Sequence, residues 1–157
     1  MAMALKLAEE ACAAGEIPVG AVAVHNGQVI ASGRNEKELR QDATAHAELL
    51  VLQRAAGHLQ KWRLEGVTLY CTLEPCPMCA GAMINARIKR LVYGCRDEKA
   101  GAAGSVIDLV RYPGLNHQVE VVEGVLQEDC ARLLSEFFLN MRKNLRNGPQ
   151  KKIGLTE

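Results

Sequence analysis

The sequence predicts an α/β fold, a three-layer α/β/α sandwich around a mixed central sheet of about five strands. Three observations carry that expectation. Near the start, two apolar runs flank Asn26-Gly27, the dipeptide that accepts positive φ at both central positions of a tight hairpin turn. After the hairpin, strand-like and helix-like patterns alternate, and strands joined through helices run parallel where a hairpin must run antiparallel. The chain has 157 residues, 48% of them apolar and 24% charged, which is enough to bury one core without disulfides.

Taken in order, residues 3–14 place Leu7, Ala8, Ala11 and Cys12 at helical spacing and stop at Gly15, so a first helix is predicted. Val19 to Val24 and Val29 to Ser32 form the two hairpin strands, and the polar stretch from Arg34 to Asp42 reads as a loop. A second helix is expected from Ala45 to Ala56, with Thr44 capping it and Gly57 ending it. Val67 to Thr72 reads as a buried strand, Pro75 to Ala86 as a helix and Ile88 to Tyr93 as another strand. The glycine-rich Asp97 to Ser105 is loop-like, and Val119 to Val122 is a last short strand. A closing helix spans Gln127 to Leu145, where Leu133, Leu134, Phe137, Phe138 and Met141 make an apolar stripe expected to face the core.

No internal repeat divides the chain, so residues 1–147 read as a single domain and residues 148–157 as a basic, disordered tail. The alanine-rich start is interrupted by Lys6, Glu9 and Glu10, no longer apolar run follows, and no membrane segment is expected. Six cysteines without a secretory leader suggest a reducing compartment, hence a cytoplasmic protein. Cys12, Cys71, Cys95 and Cys130 are scattered and read as small buried hydrophobes, with Cys71 the one candidate to complete a closed metal site. Net charge is only +1, yet five basic residues and one acid fall between Arg142 and Glu157. Such a run is a solvated face or a weak phosphate contact.

The chemistry lies in two segments, His46-Ala47-Glu48 and Pro75-Cys76-Pro77-Met78-Cys79. Together they match the H-x-E and P-C-x-x-C pattern known for zinc nucleobase deaminases. The physical basis is that a structural zinc takes four protein ligands, whereas a catalytic one takes three and leaves a corner for water. His46, Cys76 and Cys79 supply three. Two cysteines three residues apart share one helical face. With Pro77 at the first helical position, Cys76 becomes the cap, and the positive helix end favours thiolate. Glu48, two residues past His46, leaves that face, so it is expected as a proton shuttle and not a ligand. His25, His58 and His117 are not expected to bind metal. Backbone N–H groups around Ala47 and at the start of the Cys76 helix are candidates for polarising an intermediate, and Val19 and Leu73 for stacking a base.

At these residues the chain resembles the bacterial tRNA-specific adenosine deaminases of the cytidine deaminase-like superfamily. The resemblance runs through Glu16 to Ala21, Thr44 to Glu48, Leu69-Tyr70, Thr72 to Cys76, Met78 to Ile84, Arg96-Asp97, Gly101 to Ser105, Pro113-Gly114, Asn116-His117 and Leu133 to Phe138. It implies hydrolysis of the wobble adenosine of a tRNA anticodon arm to inosine, one Zn2+ per subunit and a homodimer. It also implies that Asn35 hydrogen-bonds the purine edge and that Asp97 contacts the nucleotide backbone beside the target.

Several positions carry a second reading. Asn35 also suits a turn after Gly33-Arg34, and Asp97 suits a loop cap. Arg87, Lys89 and Arg90 are either phosphate contacts or solvated surface, and the small residues Ala80, Gly81, Ala82 and Ala86 pack on a partner or on their own sheet. Two rival functions remain: a deaminase of free guanine, cytosine or cytidine, and a non-catalytic zinc-stapled binding module.

Overall fold

Asn26 and Gly27 adopt φ of 51° and 76°, and the chain turns back on itself as the dipeptide requires. In the computed structural model, which describes residues 1–147, this turn joins β1 (Gly20–His25) to β2 (Gln28–Arg34). The tail expected to be disordered, residues 148–157, lies outside the described residues. The other strands are β3 (Thr68–Leu73), β4 (Arg90–Cys95) and β5 (Glu120–Val122). They form one five-stranded sheet of order β2-β1-β3-β4-β5. β1 is antiparallel to both β2 and β3, while β3, β4 and β5 are parallel, so the sheet is mixed.

Helices cover both faces. α1 (Ala2–Ala13) and α5 (Gln127–Asn147) pack on one, α3 (Ala47–Leu59) and α4 (Pro77–Asn85) on the other. Between the layers Val51, Leu64, Leu69, Met83, Ile88, Leu91 and Tyr93 are fully buried. α1 approaches β1 closely because Gly20 has no side chain: a Cβ there would collide with the Ala4 carbonyl and the Ala8 backbone.

Three expectations are corrected. The polar stretch after β2 contains a short helix, α2 (Lys37–Arg40), because the carboxylate of distant Glu16 accepts hydrogen bonds from the N–H groups of Glu38 and Leu39 at 3.2 and 2.7 Å. α3 is capped by His46 and not Thr44, whose N–H and hydroxyl both bond Asp42 Oδ1, and it runs through Gly57 to Leu59. Gln60 ends it in the left-handed conformation while Lys61 N–H closes on the Ala56 carbonyl, a helix stop made without glycine. The stripe on α5 is not core. Phe138 and Met141 are exposed and Leu133, Leu134 and Phe137 only partly buried.

Candidate active site

The parallel pairing of Leu73 with Cys95 makes β3 and β4 end side by side, and antiparallel β1 starts where β3 ends. One end of the sheet therefore collects the segments before β1 and after β2, β3 and β4. Asn35 is tied there by its N–H to the Val19 carbonyl at 2.9 Å. Ligand sites of open α/β sheets form at this carboxyl end. A cavity of about 490 Å³ opens there, lined by Val19, Asn35, His46, Glu48, Leu73, Cys76 and Asp97 among others.

His46 is the N-cap residue of α3 and Cys76 that of α4, each with extended backbone and no side-chain capping bond. Both side chains are thus released from capping duty and face one another, while Pro77 fills the first helical position of α4. His46 Nδ1 lies 3.8 Å from Cys76 Sγ and 3.6 Å from Cys79 Sγ, and the three donor atoms all lie within 4.8 Å of one another. A tetrahedral zinc with ordinary Zn–N and Zn–S lengths separates such corners by about 3.6 Å, so the donor set fits that ion. Among the described residues no fourth histidine, cysteine or carboxylate joins the group. Cys71, the candidate for a closed site, is buried within β3, and burial followed by the Glu48 charge pushes its thiol well up.

The three ligand side chains shift one another's proton affinity. A hydrogen bond from Cys79 lowers the Cys76 thiol to about 4, against the cost of burial and helped by His46. Cys79, donating to Cys76 and buried, is driven far upward. His46 is raised by its hydrogen bond to Cys76, against burial. Ligation of a divalent cation requires thiolates and a neutral imidazole, so cation binding at such a group is coupled to proton release.

Glu48 is 4% exposed and lines the cavity without belonging to the ligand group. Burial raises its carboxyl, opposed by its backbone N–H and the His46 charge. A buried carboxyl whose proton affinity is raised, beside a three-donor metal site, is suited to taking up and returning protons. Val19, Leu73 and Ile17 give the cavity an apolar wall, and Leu134 and Phe138 of α5 add to it.

Residues 1–142 match the family model of the MafB19-like deaminases. The tRNA-specific adenosine deaminase of Bacillus subtilis (strain 168) is 50% identical over 143 residues, covering 91% of this chain and 89% of the relative. The chain belongs to the tRNA-specific adenosine deaminases. A solved tRNA:A34 deaminase, studied for A-to-I editing at the wobble position of transfer RNA, superposes on the deaminase with a TM-score of 0.83 at 42% identity, covering 85% of this chain and 97% of that one. The guanine deaminase from Nitrosomonas europaea has a TM-score of 0.75 at 27% identity, covering 87% of this chain and 81% of that one.

Not every expected residue of the deaminase meets at the cavity. The Ala47 side chain is fully buried in the core, so only its backbone is near the site. Cys79 is buried behind the cavity wall and not among its lining residues. Asp97 lines the cavity, with Oδ1 turned back to accept from the N–H groups of Lys99 and Ala100 at 3.0 and 3.1 Å. Arg87, Lys89 and Arg90 stand at the opposite, amino end of β4, where Arg90 pairs with Glu120 at 2.8 Å and Arg87 bonds the Asn116 carbonyl. His117 is turned to the Ile88 carbonyl, and neither it nor His25 nor His58 joins the metal-ligand group.

Sequence reasoning missed Glu16, Glu74, Lys99 and the part α5 plays. Glu16 is 2% exposed and accepts from Asn35 Nδ2 at 2.9 Å, which fixes that amide with its other N–H and its oxygen still available. The one local signal is an acid directly before the apolar Ile17-Pro18-Val19, and it does not say what the acid bonds.

Proposed function

We propose that the chain converts the wobble adenosine of a tRNA anticodon loop to inosine by zinc-dependent hydrolysis, consuming water and releasing ammonia. The observation that carries this reading is that His46 and Cys76 of the three-residue metal-ligand group and the buried Glu48 line one cavity. A zinc ion held by those three residues supplies the Lewis acidity that makes water nucleophilic near neutral pH. Glu48 would take one proton from water and pass it to N1 of the purine as the water oxygen bonds to C6, then carry the remaining proton from that oxygen to the amino group, so that the C6–N6 bond breaks and ammonia leaves. Asn35, its amide held by Glu16, hydrogen-bonds the purine edge, and Val19 and Leu73 pack on the base faces. The backbone N–H groups of Ala47 and of the first turn of α4 face the developing charge.

A cavity of about 490 Å³ is larger than one base needs, and its rim carries Lys37, Lys99 and Asp97, groups suited to a ribose-phosphate strand. Asp97 keeps Oδ2 for the strand beside the target nucleotide. An anticodon loop suits this site because its bases are splayed and cost little to capture. The catalytic unit is residues 1–147, acting as a homodimer in the cytoplasm. The pairing of copies is supported by α4, where Met78 is exposed and Gly81 partly so. No helix among the described residues is long and apolar enough to cross a membrane.

The decisive experiment offers the purified protein an anticodon stem-loop with adenosine at the wobble position, and separately free adenosine, cytidine, cytosine and guanine, measuring inosine and ammonia. Inosine in the RNA is the expected result. Turnover of a free base alone would overturn the substrate, and no turnover with zinc bound would overturn the enzyme.

A further inference from the structure

Glu74 lies two residues before Cys76 and is 1% exposed. No lysine or arginine pairs with it among the described residues. Its charge is met entirely by donors from one loop. Oε2 accepts from the Asp97 N–H at 3.0 Å and from the Ser105 hydroxyl, and Oε1 from the N–H groups of Ala103 and Ser105 at 2.9 and 3.0 Å. The loop is wrapped so closely that a Cβ on Gly101 would run into the carboxyl group. A further bond, Ala102 N–H to the Pro75 carbonyl at 2.8 Å, ties the loop to the turn that leads into Cys76. Four donors converging on one buried side chain need an acceptor on both oxygens, and an amide would set a donor against them.

We infer that Glu74 is a positioning residue which holds the Asp97–Ala100 rim in register with the metal-ligand turn, so that the strand flanking the target is gripped at a set distance from the reacting base. The inference rests on the RNA reading above and assigns that rim its anchor. Glu74 also lines the cavity, but its side chain makes no hydrogen bond to Asn35 after β2 or to His46 and Glu48 at the start of α3, its bonds going only to the 97–105 loop. Loosening the rim therefore weakens capture of RNA more than it slows the chemistry.

The test compares Glu74→Gln, Ser105→Ala and Ser105→Thr with the wild type. Measurements are zinc content, amide hydrogen exchange across residues 97–105, and kcat and KM on the stem-loop. Glu74→Gln is expected to keep its zinc, expose the rim amides to faster exchange, and raise KM at least tenfold with kcat within threefold. Ser105→Ala, which removes a single donor, gives a smaller change of the same kind should Glu74→Gln not fold, and Ser105→Thr, which retains the hydroxyl, restores both. Unchanged rim exchange in Ser105→Ala, or a loss confined to kcat, overturns the inference. Exchange is read without RNA, so it judges the anchor separately. Wild-type failure on the stem-loop counts against the RNA reading instead.

Discussion

His46 and Glu48 are separated by one residue, yet a cap position and a second helical position point their side chains differently, one at two sulfurs and the other into the cavity. That divergence is why one can bind metal while the other stays an acid. Glu48→Gln keeps the volume and removes the titrating group. It is expected to cut kcat by about 10²–10⁴-fold, the range for a lost general acid–base, with metal content unchanged. Metal analysis of the purified variant checks the second half; a loss of metal equal to the loss of rate would make Glu48 a ligand.

Helix α1 seats on β1 through Gly20, whose N–H also bonds the Thr72 hydroxyl at 3.1 Å on β3. Overpacking of such a contact costs about 1–3 kcal/mol, so Gly20→Ala should lower the denaturant midpoint by that equivalent, since α1 must shift to make room. At the other flank, the buried Tyr93 of β4 donates its hydroxyl to Glu123 Oε2 at 2.7 Å, and Arg96 pairs with the same carboxylate at 3.0 Å. The Tyr93 hydroxyl first, then Arg96, hold the Glu123 carboxyl below its ordinary 4.5. A carboxyl depressed by folding stabilises above its unfolded value and loses that contribution as pH falls through the folded one. Tyr93→Phe should therefore melt a few degrees lower near neutral pH, and the gap should narrow as pH drops below about 4.5. Thermal melts of both proteins across that range decide it; a gap constant with pH would refute the linkage.

At the scale of the whole molecule, Gly81 of α4 is partly exposed, and a Cβ there would meet nothing within 4 Å. A single chain thus accepts a larger side chain at this position, whereas a close-packed pair of copies does not. Sedimentation of the wild type is expected to report twice the 17.1 kDa chain mass, and Gly81→Arg a folded monomer. A variant that stays dimeric would place the interface elsewhere.

The chemistry was legible in the chain itself because metal ligation depends on residue type and short spacing: Cys76 and Cys79 share a helix turn, and Pro77 sets its start. Strands and long helices were legible for the same local reason, periodicity, and the Asn26-Gly27 turn by its dihedral demand. Only the tertiary structure brought Asn35 to Glu16, folded α2 on that same carboxylate, turned the α5 stripe toward a cavity and separated Arg87 and Arg90 from the site. These are contacts between residues about 20 or more apart in sequence, decided by which sheet ends lie together. No local pattern records where a buried carboxylate will find its donors.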